Sequence, residues 1–195
     1  MGTNLDNTKV LLLGYTGYIG ATLAKVLLEK NIQVVCPVRN KKPPKKNKNI
    51  VFVDMSQIES FLETSKVKPT TVISCIASRK GGVSDSWDVE YSLNKFFLNL
   101  CKRAGINRFI LLSAICVQKP TLEFQKAKLA FETLLKNSTL EYEIIRPTAF
   151  FKSLSGQIDR VKKGKSFLVF GNGEITTCKP ISARDLSEFI IAFVL

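Results

Sequence analysis

A doubly wound α/β fold, in which helices cover both faces of a parallel sheet, is predicted by two features of this sequence. Short apolar, β-branched runs alternate with amphipathic stretches, and the first run leads straight into a glycine-rich turn. The runs occupy residues 9–13, 33–38, 50–53, 71–76, 108–113 and 142–145. They are nearly continuous in apolar side chains, as strands buried on both faces must be. Helical spacing fills 18–30, 57–65, 88–103 and 122–137, with Leu23, Val26 and Leu27 on one face of the first stretch. The expected strand order is 3-2-1-4-5-6. After Pro147 the pattern loosens: Gly156, Gly164, Gly171 and Gly173 punctuate short segments, one of them Phe167-Leu168-Val169-Phe170. A last amphipathic stretch from Asp185 ends on an apolar run with no Gly, Asn or base to close it. The expectation is one domain over 1–195. Residues 148–195 then begin a substrate-side region whose C-terminal lobe is truncated.

Composition narrows the chemistry. At 195 residues and 45% hydrophobic, the chain can bury a full core, so disorder is excluded. No apolar run approaches the ~18 residues of a membrane span. The opening residues show no basic-then-apolar leader and no Arg-rich transit pattern, so the chain is expected to carry no address. Without histidine, Ser-His-Asp and Cys-His nucleophiles and His-ligated metals are excluded. Cys36, Cys75, Cys101, Cys116 and Cys178 are scattered without a Cys-x-x-Cys pair. They read as reduced thiols, mostly core filler, and no metal site is expected. The net charge of +13 is partly concentrated in a prolyl, basic loop at 41–48, which reads either as a solvated surface or as a contact for an anion. Basic and aromatic residues are not interleaved on one face, so nucleic acid is not an expected partner.

The turn Gly14-Tyr15-Thr16-Gly17-Tyr18-Ile19-Gly20 sits between a strand and a helix, the context in which such a motif has meaning. Gly14 can turn where a side chain would clash. Gly17 lets backbone approach a pyrophosphate, and Gly20 lets the helix pack closely. The pyrophosphate then meets free N–H groups at the positive end of the helix. A Rossmann-type dinucleotide site follows. Its ribose position lies at the end of the second strand, where an acid would hold the 2′-hydroxyl of NAD. Arg39 stands there, nineteen residues after Gly20, and no acid occurs between Glu29 and Asp54. A guanidinium pairs with a 2′-phosphate in fork geometry, contributing about 1.5–3 kcal/mol, so NADPH is the expected cofactor. Asp54 is either a contact to the adenine amino group or a loop-start carboxylate.

The G-x-x-G-x-x-G spacing resembles that of the extended and atypical short-chain dehydrogenase/reductases, whose chemistry usually rests on Tyr-x-x-x-Lys across one helix face. Here Lys128 is present, Phe124 stands in the tyrosine position, and Ser113 matches the usual serine. Phenylalanine has no proton to give, so alcohol–ketone interconversion by that route is not expected. Lys128 reads as the residue that holds the nicotinamide ribose, against a plain surface lysine.

Longer blocks carry a narrower resemblance. Leu111-Leu112-Ser113-Ala114-Ile115-Cys116-Val117-Gln118-Lys119-Pro120, Leu122-Glu123-Phe124-Gln125-Lys126-Ala127-Lys128-Leu129 and Ile145-Arg146-Pro147-Thr148-Ala149-Phe150-Phe151-Lys152-Ser153-Leu154 are similar to the divinyl chlorophyllide a 8-vinyl-reductase family. So are Ser74-Cys75-Ile76-Ala77-Ser78-Arg79, Asp85-Ser86-Trp87 and Cys178-Lys179-Pro180-Ile181-Ser182. The resemblance covers nearly the whole chain. It implies reduction of a tetrapyrrole's 8-vinyl group to ethyl by NADPH, in a plastid or in the cytoplasm of a photosynthetic bacterium. That family also has phenylalanine before its helix lysine. The resemblance adds Ala77 and Pro147 to the cofactor contacts and makes Lys128 and Ser113 the catalytic candidates. Phe124, Phe150, Phe151 and Trp87 become lining for the macrocycle edge, with core packing as their other reading. Arg79 and Lys152 are candidates for the pigment carboxylate. Water, Lys128 and Cys116 stay open as proton donor. A peripheral membrane contact also stays open, and the sequence does not specify an oligomeric state. The competing readings are a non-catalytic dinucleotide sensor of the NmrA-like type and a basic adaptor for nucleic acid or a membrane surface.

Overall fold

A computed structural model describes residues 8–39, 48–79, 81–169, 172, 174 and 179–195. Residues 41–47 of the basic loop, Phe170, Gly171, Gly173 and Cys178 lie outside them. Six parallel strands form one sheet: β1 (Lys9–Leu13), β2 (Gln33–Val38), β3 (Ile50–Asp54), β4 (Thr71–Ser74), β5 (Arg108–Leu112) and β6 (Glu141–Ile145), in the order β3-β2-β1-β4-β5-β6. This is the expected order, and the strand bounds agree to within two residues.

Strand side chains alternate between two cores. Val10 and Leu12 face one side, where α1 (Tyr18–Glu29) and α7 (Ala183–Ile191) supply Leu23, Leu27, Leu186 and Ile190. Leu11 and Leu13 face the other, against α2 (Ile58–Thr64), α4 (Asn94–Ala104) and α5 (Glu123–Lys136), which supply Leu62, Phe97 and Phe131. Cys36 and Cys101 are buried free thiols, one in each core, as filler cysteines should be. The α1 and α7 helices are also joined at the surface by Arg184–Glu29 at 2.8 Å and Lys30–Glu188 at 3.5 Å.

Two stretches depart from the expected pattern. The helix expected at 88–103 begins earlier, as a short α3 (Val83–Ser86), and passes through a π-helical segment, Trp87–Leu93, before α4. The wider turn leaves carbonyls short of regular partners, and the Asn94 amide donates to Glu90 O at 2.9 Å and Val89 O at 3.4 Å. The loosened region after Pro147 contains a regular helix, α6 (Phe151–Lys162), none of whose residues is buried. Phe151, Leu154, Ile158 and Val161 fall at helical spacing on it, yet all remain exposed. The expected substrate-side region is therefore divided: α6 lies outside both cores, and α7 returns to pack on α1.

Burial predicts the stability response. Phe131→Ala removes a fully buried ring and should lower unfolding free energy by about 3–5 kcal/mol in urea titrations. Arg184→Ala, on the exposed helix seam, should leave the urea midpoint nearly unchanged.

Candidate functional site

Parallel strands bring their C-terminal ends to one edge, and the sequence-predicted residues leave the sheet there. Gly14 follows β1, Arg39 follows β2 and Asp54 closes β3; Ala77, Ser113 and Pro147 lie just beyond β4, β5 and β6. In this strand order the chain reverses direction across the sheet between β1 and β4, the place where open α/β sheets take their ligands. A shallow depression lined by Lys102, Ile106, Thr139 and Glu141 lies at the opposite end of the strands and takes no part in the site.

The glycine turn is packed to its limit. Gly14 has φ +85°, and a Cβ there would come within 2.6 Å of Cys75 O. A Cβ on Gly20 would meet Gly14 O at 2.2 Å, so the third glycine packs α1 onto its own turn. Gly17 is less crowded, with Gly14 O 3.3 Å from a built Cβ, and it stands as the N-cap of α1 in extended conformation. Tyr18, Ile19 and Gly20 carry first-turn N–H groups that no intrahelical carbonyl reaches. Among the described residues no side chain caps them, and no acid sits in the first turn. This arrangement fits a diphosphate, which would accept from those N–H groups and meet the positive helix end.

The remaining loop residues divide by burial. Tyr15 leans on Phe52 of β3, ring centroids 5.2 Å apart, and burial raises its phenol. Thr16 and Tyr18 are exposed, and Ile19 is core. Arg39 is exposed one residue past Val38, which pairs in register with Asp54. The Asp54 carboxylate caps the 3-10 turn that follows it, accepting from Ser56 N at 2.9 Å and from the Ser56 hydroxyl at 2.6 Å. Its loop-start reading therefore has a physical basis in the fold.

The structure overturns the surface reading of Lys128. Its ammonium is buried, 2.7 Å from Glu90 Oε2, with a longer contact of 3.4 Å to Leu112 O. Burial pushes the nearby Cys75 thiol up to about 12, with the Lys128 charge pulling the other way, so Cys75 is a neutral thiol. Ser113 is buried too, and its hydroxyl donates to Glu132 Oε1 at 2.6 Å. Glu132 lies one helical turn beyond Lys128 on α5 and also binds the Arg146 guanidinium through both its oxygens. Burial works to raise the Glu132 carboxyl, but the bonds from Arg146 and Ser113 outweigh it and hold the group below its ordinary value.

Trp87 reaches the start of α5, where Phe124 lies. The Trp87 indole donates to Glu123 Oε2 at 3.1 Å, and Phe124, the next residue, is half-buried. Phe150 and Phe151 do not act alike. Phe150 bridges to Ile181 and packs against the α1–α7 core, whereas Phe151 opens α6 and is exposed. Pro147 O accepts from Ile115 N at 3.1 Å, tying the β5 and β6 loops together. Cys116 is exposed at φ 68°, Arg79 N donates to Asp85 at 3.0 Å, and Lys152 is exposed on α6. Sequence reasoning missed Glu90, Glu132 and Arg146. The signal for Glu132 was there, an acid four residues after Lys128 and next to the apolar Phe131 and Leu135 on the same helix face.

Fold and glycine turn define a Rossmann-type dinucleotide-binding protein. The chain belongs to the NAD(P)H-binding family, whose model matches residues 14–194. It is 43% identical to a divinyl chlorophyllide a 8-vinyl-reductase, chloroplastic, of Cucumis sativus, over 98% of this chain and 51% of that protein. It is 42% identical to the Arabidopsis thaliana protein of the same name, over 95% of this chain and 50% of that one. The chain thus spans about half the length of the curated relatives it matches. A photosystem II assembly factor Ycf39 of Cyanophora paradoxa is 29% identical over 76% of this chain and 47% of its own. In fold, the chain matches a UDP-glucuronic acid 4-epimerase from Bacillus cereus in complex with NAD (TM-score 0.80, 19% identity, 96% of this chain and 72% of that one).

The lowered Glu132 carboxyl has a pH signature. Its ionised form stabilises the fold above the ordinary value of 4.5, and that contribution is lost as pH falls through the lower folded value. Glu132→Gln should therefore cost about 3 kcal/mol at neutral pH, where Arg146 is left without its partner. The gap to wild type should narrow as urea titrations are repeated down to about pH 3. A gap that stays constant would contradict the assignment.

Proposed function

We propose that this chain forms the cofactor-binding portion of a plastid or bacterial reductase that converts the 8-vinyl group of a divinyl chlorophyllide to ethyl, with NADPH as reductant. The observation that carries the reading is a buried, carboxylate-held Lys128 on a helix whose tyrosine position is Phe124, within a chain about 40% identical to relatives named for that reaction. The dinucleotide would lie across the glycine turn: diphosphate on the N–H groups of Tyr18, Ile19 and Gly20, 2′-phosphate on Arg39, nicotinamide ribose on Lys128. Ala77 and Pro147, at the ends of β4 and β6, would border its nicotinamide half.

Bound there, NADPH would supply a hydride to a vinyl carbon. The other carbon takes a proton, and charge in the reacting state spreads into the tetrapyrrole, so no phenol is needed to stabilise an oxyanion. The protein's share would be orientation of cofactor and pigment against each other. Phe124 and Trp87 would set one wall of the pigment site. Phe151 and the exposed apolar stripe of α6 would set another, with Lys152 beside it for the carboxylate. Ser113 acts as a positioning group, since its hydroxyl proton is given to Glu132. With Lys128 held by Glu90 and given to the nicotinamide ribose, water or the exposed Cys116 thiol would supply the proton.

Divinyl chlorophyllide mixed with the protein and NADPH should yield the blue-shifted spectrum of the monovinyl pigment. Tight NADPH binding without a shift would favour a non-catalytic dinucleotide sensor of the NmrA-like type. Arg39→Ala should weaken NADPH by about 10- to 150-fold and leave NADH nearly unchanged, read by nucleotide fluorescence titration. Equal losses would remove the 2′-phosphate from Arg39.

A further inference from the structure

We propose that Glu90 is a positioning residue for the nicotinamide half of the cofactor, acting through Lys128; the inference rests on the reading of Lys128 as the ribose-holding residue. The Glu90 carboxylate is buried and divides its two oxygens between two segments of the crevice floor. Oε2 lies 2.7 Å from the Lys128 ammonium on α5. Oε1 accepts from Ser78 N at 2.9 Å and from the Ser78 hydroxyl at 3.1 Å, in the loop that leaves β4 directly after Ala77. One side chain thus braces the loop after β4 against the lysine of α5.

Its placement is built into the backbone. Glu90 sits within the π-helical segment Trp87–Leu93, and π-turns occur often at functional sites because they shift the register of the side chains they carry. The Asn94 amide secures that turn by donating to Glu90 O, while Asn94 Oδ1 accepts from the buried Ser74 hydroxyl at 2.6 Å at the end of β4. The π-segment is therefore pinned to the same strand whose loop Glu90 holds.

The lysine's donors explain what the brace achieves. An ammonium has three N–H donors. The Lys128 ammonium is ion-paired with Glu90 Oε2 at 2.7 Å and donates to Leu112 O at 3.4 Å; among the described residues it has no other hydrogen-bond partner. An unpaired ammonium would be costly in so buried a place, and an unanchored one would turn among several acceptors. Glu90 compensates the charge and, together with Leu112 O, confines the ammonium, so that its free donor capacity is presented at the ends of β4 and β5.

A double-mutant cycle on cofactor binding tests this, using Glu90→Gln, Lys128→Met and the double variant, with NADPH fluorescence as readout and unfolding temperature as control. Each single change should weaken NADPH about tenfold, and the double variant should lose no more than either single one. 2′,5′-ADP, which carries the 2′-phosphate but no nicotinamide ribose, should bind wild type and Glu90→Gln alike. Losses that multiply to about a hundredfold in the double variant, or an equal loss of 2′,5′-ADP, would overturn the proposal, since a general structural defect behaves that way. If Glu90→Gln does not fold, Glu90→Asp keeps the charge but shortens the reach. It should weaken NADPH while sparing 2′,5′-ADP, and an unchanged NADPH affinity would refute the brace. Wild-type protein that binds 2′,5′-ADP and NADPH equally would instead refute the ribose role of Lys128 on which the inference rests.

Discussion

The close passage of the glycine turn between β4 and α1 is the constraint on which the site depends. Gly14 lies so near Cys75 O, and Gly20 so near Gly14 O, that neither position accepts a Cβ. Helix α1 must therefore start immediately above the end of β1, with its uncapped N–H groups facing the crevice between β1 and β4. Because neighbouring strands run in register, that single placement also sets where Arg39, Ala77 and Ser113 emerge relative to it. A looser turn would leave the same residues present but not convergent.

Beneath the crevice lies a layer of paired charge. Glu90 and Glu132 are almost wholly buried, and each holds a cation together with a serine: Lys128 with Ser78, Arg146 with Ser113. Burying ions is unfavourable unless their geometry satisfies nearly every donor and acceptor, and such pairs are better at specifying position than at adding stability. In a protein of net charge +13, these two acids turn inward to organise cations. The strand ends thus carry buried, paired charge, whereas α6 carries an exposed apolar stripe of Phe151, Leu154, Ile158 and Val161.

The sheet was readable because its signal is local. Six apolar runs between amphipathic stretches admit few topologies once crossovers must be right-handed, and the glycine spacing named the turn in advance. The helix at 151–162 was obscured by Gly156 and its serines, although Phe151, Leu154, Ile158 and Val161 keep helical spacing. Nothing local announced the π-turn at Trp87–Leu93, where Asn94 reaches back to the Glu90 carbonyl and is itself held by Ser74 of β4.

The sequence by itself determined the fold class, the strand order, the anion-binding turn and the cation at the second strand's end, because steric and periodic rules act between residues close along the chain. The tertiary structure alone decided that Lys128 and Ser113 are buried and that Glu90, Glu132 and Arg146 hold them. Those bonds join side chains from separate elements, and only packing the helices against the strand ends brings such groups within 3 Å of one another.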